Sequence, residues 1–112
     1  MSNADKRLAM LRQLTEGGQA DAFAWYALAL ELKGRREHGE AHEAFKRLRQ
    51  QFPDYVPQYL MCGTMLTEMG RPGEAREWLE SGIIRAQQKG DAHARSELEN
   101  ALEQLPPPPS LV

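Results

Sequence analysis

The sequence predicts an all-α protein of antiparallel helix-turn-helix repeats, with about six helices in its 112 residues. Three observations predict this fold class. Apolar residues recur at helical spacing in successive segments, and glycine and proline separate those segments. Two stretches of the chain also match each other at an offset of 34 residues, which indicates an internal helical repeat. We expect one domain over residues 1–105.

The first predicted helix, residues 4–17, is interpreted as a half repeat. It carries Leu8, Leu11 and Leu14 on one face, and Gly17-Gly18 ends it. Moved on by 34 residues, the segment aligns with the second helix of a repeat whose first helix is missing. We therefore expect it to cover the N-terminal end of the helical stack.

The first full repeat is predicted over residues 22–55. Asp21 is a suitable N-cap for its first helix, which Gly34 closes. Its second helix is predicted over residues 38–51. Pro53 lacks an amide hydrogen and disfavours helical geometry in the preceding residue, so the repeat should end there.

The second full repeat is predicted over residues 56–89, with helices at about 56–69 and 72–88. It has no closing proline, so we expect its last helix to run past the usual boundary. Asp91 can cap a final amphipathic helix over residues 91–105, which would end the stack without exposing its core. Residues 106–112 begin with four prolines and are predicted to be a disordered, proline-rich tail.

The positions that match between the two repeats combine large and small side chains, as close helix packing requires. We predict that these side chains pack the helices against each other, and we add to them the proline that closes the first repeat. These repeat-packing positions are Trp25, Leu28, Ala29, Leu32, Ala41, Phe45, Leu48, Pro53, Tyr59, Cys62, Gly63, Leu66, Ala75 and Leu79. Their pattern over residues 22 to about 87 resembles the tetratricopeptide repeat, W-x2-L-G-x2-Y, then A-x3-F, then P.

The resemblance implies a protein-protein interaction module that binds a peptide or helix in a concave groove lined by the first helix of each repeat. The groove positions are Phe23, Tyr26, Ala27, Leu30, Lys33, Leu60, Met61, Thr64 and Thr67, with Met65 close by. Some members of the family hold an acidic C-terminal carboxylate there with Lys, Asn and Arg. The matching positions here are Tyr26, Leu30 and Met61, so an apolar or amphipathic ligand is favoured.

A self-associating module is the alternative interpretation. The first helix of repeat 1 is apolar almost all round, which implies that more than one of its sides is covered. The cover could be a partner protein or peptide, a second copy of the chain, or one of the chain's own terminal helices. The sequence leaves these possibilities open.

Other classes of function find little support in the sequence. No nucleophile with a paired base, phosphate-binding glycine loop or convergent carboxylate pair is evident, so we expect no enzyme and no cofactor. A net charge of -2 predicts no nucleic-acid partner, and no apolar run is long enough for a membrane span. The single cysteine, Cys62, stands at a repeat-packing position, so we expect its thiol to be buried. It has no partner for an internal disulfide, and we expect a reducing, cytoplasmic location.

His38 and His42 stand four residues apart, a spacing that zinc-binding helices use. Gly39 replaces the glutamate that follows the first histidine in zinc proteases, and only His93 or scattered carboxylates could supply a third ligand. We therefore predict no metal site. His38 is expected to fill a position where repeats often carry an aromatic ring, and His42 to lie at the surface.

Overall fold

The fold is all-α, as predicted. The computed structural model describes residues 2–109, and these contain six helices and no strand. The helices are α1 Asn3–Glu16, α2 Ala22–Gly34, α3 His38–Gln51, α4 Pro57–Glu68, α5 Pro72–Lys89 and α6 Ala92–Glu103. The described residues fall into two compact units that divide between Tyr55 and Val56. Unit 1 contains α1–α3 and unit 2 contains α4–α6.

In unit 1, α2 packs against both α1 and α3. One side of α2 is buried through Trp25, Leu28, Ala29 and Leu32. The facing helix α3 buries a complementary stripe of Ala41, Ala44, Phe45 and Leu48. Ala29 and Ala41 are fully buried, and their small side chains let the two helices approach closely.

In unit 2, α4 and α5 form the second hairpin, and α6 packs against both. Two glycines make the close approach possible. A Cβ atom built on Gly63 would lie 2.6 Å from Leu79 Cδ2, and one built on Gly82 would lie 2.5 Å from Tyr59 Cβ. Neither position has room for a side chain unless a neighbour moves.

Three helices begin with a side-chain cap. Asp21 accepts from the Ala24 amide at 2.8 Å, and Asp91 accepts from the Ala94 amide at 3.0 Å, which confirms both predicted N-caps. Ser2 does the same for α1 by accepting from the Asp5 amide. Pro57 and Pro72 occupy first turns, where their missing amide hydrogen costs no helical bond.

Two hairpin turns share one C-terminal geometry, with a left-handed residue after the first helix. After α2, Arg36 donates to the Lys33 carbonyl while Glu37 donates to the Leu32 carbonyl. After α4, Gly70 and Arg71 make the equivalent pair of bonds to Thr67 and Leu66. Both turns are Schellman motifs, in which a positive φ is required. Gly70 adopts φ 75° without steric cost, whereas Arg36 adopts φ 61° with a Cβ atom present.

Replacing Arg36 with glycine is expected to raise the free energy of unfolding by about 0.5–1 kcal/mol, because relief of left-handed strain exceeds the added chain entropy of glycine. Gly70→Ala should lower it by about 1–2 kcal/mol. Urea unfolding of the two variants measures both effects. A less stable Arg36→Gly variant would contradict the assignment of strain.

Leu14, predicted on the same face as Leu8 and Leu11, lies at the surface instead, with 52% of its area exposed. In α1 the buried positions are Leu11 and Thr15, four residues apart, so the inward face is narrower than the leucine spacing indicated. α5 ends at Lys89, beyond the position that corresponds to the end of α3 at the 34-residue offset, so the second repeat has the longer second helix. Gly90, in the left-handed conformation, ends α5.

The tail follows α6 after Gln104 and the buried Leu105. Residues 106–109 of the predicted 106–112 tail are exposed and non-helical, and the rest of that prediction lies outside the described residues. The Arg76 guanidinium donates to the Pro106 carbonyl at 2.8 Å. No helix in residues 2–109 combines the length and the hydropathy that a bilayer span requires.

Ion pairs attach α1 to α2. Glu31 accepts from Arg7 at 2.6 Å and from Arg35 at 3.2 Å, and Arg35 also donates to Asp5 at 3.0 Å. The hydrogen bond from Arg7 is the main reason that the pKa of Glu31 lies below its ordinary value of 4.5. The pKa of Asp5 is lowered by hydrogen bonds from Ser2 and Arg35. Both carboxylates therefore favour the docked helix while they are ionised.

Acidification is expected to weaken the docking of α1. The pKa of Glu31 is lower in the folded state, so its contribution is present above 4.5 and is lost as pH falls through the lowered folded value. Glu31→Gln should be less stable than the wild type at neutral pH and match it in strong acid. Thermal unfolding across this range measures the gap, with exposed Glu103→Gln as the control. A gap that does not change with pH would contradict this role.

Candidate functional site

The outward face of α2 lies opposite the side that the helix buries. Phe23, Tyr26, Ala27 and Leu30 follow the i, i+3, i+4, i+7 spacing of a single helical stripe. Phe23 is 68% exposed, while Tyr26, Ala27, Leu30 and Lys33 are partly buried. The structure thus leaves an apolar, partly aromatic face on α2, at the positions predicted to line the groove.

Tyr55 adds a third aromatic ring to this face, after those of Phe23 and Tyr26, and no sequence pattern indicated it. Its ring centroid lies 5.1 Å from that of Tyr26, and the two planes meet at 57°. Burial raises the pKa of both phenols, and the nearby Asp21 carboxylate raises that of Tyr55 further. Tyr55 follows the turn at Pro53 and lies outside the helical pattern, so periodicity could not place it.

The corresponding face of α4, in unit 2, combines two apolar side chains with two threonines. Leu60, Met61 and Thr64 are partly buried, and Thr67 is exposed. The Thr64 hydroxyl donates to the Met61 carbonyl at 3.2 Å, and that of Thr67 donates to the Gly63 carbonyl at 2.9 Å. Their donor hydrogens are thereby committed to the helix itself.

Met65, which was predicted to lie close to the groove, is fully buried in the core of unit 2. It stands three residues after Cys62 and one before Leu66, both of which are also fully buried. Its position on α4 is therefore part of the packed side of the helix. The thiol of Cys62 is buried, as predicted.

His42 is buried, with 7% of its surface exposed, so the prediction of a surface histidine was wrong. It precedes Phe45 by three residues and therefore belongs to the same inward stripe of α3. His38 is partly buried. Within residues 2–109, no group of three or more His, Cys, Asp or Glu side chains is placed to hold a metal ion.

A cleft of about 290 Å³ opens in unit 1, and the sequence analysis did not anticipate it. Its apolar lining consists of Trp25, Leu28, Leu32 and Ala44, and its polar lining includes Arg12, Glu40, Glu43 and Arg47. Arg12 pairs with Glu40 at 2.9 Å, and the Arg47 guanidinium lies 5.2 Å from the centre of the Trp25 ring. The lining is apolar with charges of both signs.

The charged side chains near these faces are largely paired with one another. Lys46 pairs with Glu43 at 2.6 Å along α3, and Arg35 pairs with Glu31 and Asp5. The Lys46–Glu43 and Arg35–Glu31 pairs have helical spacing, whereas the Arg35–Asp5 pair joins the end of α2 to α1. These residues therefore form a surface of mixed charge.

Comparison with known proteins identifies structural relatives. A tetratricopeptide repeat domain protein from Salinibacter ruber is 31% identical over 75% of this chain. Its crystal structure matches with a TM-score of 0.71 over 94% of its length, and its solution structure with 0.72 over 85%. The solution structure of a Bordetella parapertussis protein shares the fold at 23% identity, with a TM-score of 0.75 over 93% of this chain and 87% of its own.

No family model matches the sequence, and no curated protein matches it significantly. The solved structures nevertheless agree with the repeat pattern. The matched positions pack the α2–α3 and α4–α5 hairpins, and the Salinibacter protein combines the same fold with 31% identity over most of its own length. The chain belongs to the tetratricopeptide repeat family.

Proposed function

We propose that this chain is a protein-interaction module that binds an apolar or amphipathic peptide through the first-helix faces of its repeats, α2 and α4. The observation that carries the proposal is the exposure of Phe23, 68%, on a helix whose other side is fully packed. A large apolar side chain held at the surface by a rigid helix is a typical anchor for a partner.

The chemistry of both faces supports an apolar ligand. Tyr26, Leu30 and Met61 provide aromatic, aliphatic and thioether contacts, which adapt to differing partner side chains. Lys33 is the single cationic position of the proposed α2 face. An amphipathic helix would place its own apolar stripe against such a surface.

Binding to an immobilised library of amphipathic peptides tests the proposal. We expect Phe23→Glu combined with Thr67→Glu to weaken capture at least about tenfold, because each change places a charge in the proposed contact. Both residues are exposed, so the fold should be retained. Circular dichroism checks that it is.

The matched control adds the same charge away from the proposed faces. Gln50→Glu on α3 combined with Gln88→Glu on α5 changes two exposed residues of the second helices. This variant should capture the same peptides as the wild type. Equal capture by the two double variants would show that α2 and α4 do not form the binding surface.

A further inference from the structure

The aromatic patch of unit 1, defined as Phe23, Tyr26 and Tyr55, has the chemistry of a proline-binding surface. Phe23 stands one turn from Tyr26 on α2, and Tyr26 contacts Tyr55 at 57° between ring planes. Within residues 2–109, the hydroxyls of Tyr26 and Tyr55 donate to no other group. The patch therefore combines flat apolar rings with two phenol donors.

The same chain carries a segment of complementary chemistry. Pro106–Pro109 are four consecutive prolines, all exposed and outside any helix. The bond from Arg76 to the Pro106 carbonyl holds the start of this segment against α5. A proline run favours the polyproline II helix, which has no internal hydrogen bonds.

The two surfaces have complementary hydrogen-bonding groups. Proline residues offer carbonyl acceptors and no amide donors, while the phenols of Tyr26 and Tyr55 can donate. Proline rings pack against aromatic faces, and the preformed extended helix loses little entropy on binding. The four prolines and the three rings carry no charge, so no ion needs to be desolvated.

We propose that the proline segment 106–109 of one copy of this chain binds the aromatic patch of a second copy. Each copy carries both surfaces, so the two are present at equal concentration, and the contact is reciprocal or head to tail. The inference rests on the proposed function, because it assigns an occupant to part of the α2 face. In this arrangement the tail mediates self-association, and no terminal helix is needed to cover the aromatic patch.

Intermolecular paramagnetic relaxation in the 112-residue chain tests this contact. One copy carries a nitroxide on Gln104→Cys, an exposed site next to the prolines, and the other copy is labelled with ¹⁵N only. The natural thiol of Cys62 is buried and should remain unlabelled. We expect concentration-dependent broadening of the amides of Phe23, Tyr26 and Tyr55 in the ¹⁵N copy, which carries no spin label of its own.

Two variants complete the test. Pro107→Ser with Pro108→Ser in the spin-labelled copy, or Phe23→Ser in the ¹⁵N copy, should each raise the dissociation constant about tenfold. Broadening that is absent, that falls elsewhere, or that is unchanged by both variants would overturn the proposal. If the proline contact fails in this way but Phe23→Glu with Thr67→Glu weakens peptide capture as expected, the proposed function stands and only the proline occupant is wrong.

Discussion

Phe45→Ala is expected to lower the free energy of unfolding by about 3–5 kcal/mol. The ring is fully buried on the stripe of α3 that packs against α2. Truncation to alanine removes its apolar contacts and leaves a cavity that a close-packed helix pair fills only in part. A loss of this size is a large share of the stability of a small domain. Urea unfolding followed by circular dichroism measures it.

Phe23→Ala is the matched control, because it removes the same side chain from the same unit at a position that is 68% exposed. We expect it to change the free energy of unfolding by no more than about 0.5 kcal/mol. Because both variants remove a phenylalanine side chain, the difference between their losses of unfolding free energy reports the effect of burial. Equal losses in the two variants would show that Phe45 does not occupy the core position described for it.

Gly82→Ala is expected to destabilise the protein by about 1–3 kcal/mol, although alanine is the better helix former. The added Cβ would lie 2.5 Å from Tyr59 Cβ and 3.0 Å from Leu98 Cδ2. Tyr59 Cβ is attached directly to the main chain of α4 and cannot rotate away. The helices of unit 2 must therefore separate, and the midpoint of urea unfolding should fall.

Gly73→Ala is the control in the same helix, because Gly73 has room for a side chain. A Cβ added at Gly73, in the first turn of α5, meets no atom within 4 Å. This variant should be neutral or up to about 1 kcal/mol more stable, since only the helical preference of alanine changes. Gly82→Ala and Gly73→Ala are thus expected to differ in sign. A shift of both midpoints in one direction would contradict the close approach of α4 and α5.

The repeat pattern was predictable from the sequence because its signals are local or periodic. Asp21 and Asp91 mark helix starts through their own side chains, and Pro53 stops α3 by removing a donor. The buried stripe of α3 follows from helical spacing. The offset of 34 residues groups these segments into two hairpins without reference to any tertiary contact.

The candidate site was only partly predictable. Spacing placed Phe23 and Tyr26 on one stripe, but it could not bring Tyr55 to them, because that contact depends on how the chain turns after Pro53. Spacing also misplaced His42, since the width of a buried stripe depends on the neighbouring helix.

The sequence by itself determined the helices, their order and the family of this protein, because those properties depend on caps, breakers and periodic burial. Only the tertiary structure decided how wide the covered side of each helix is and how closely the helices approach. It left Leu14 exposed, made the backbone of Arg36 left-handed and brought the helices of unit 2 together at Gly82. The physical reason is that burial and close approach depend on pairs of elements, whereas sequence patterns describe each element alone.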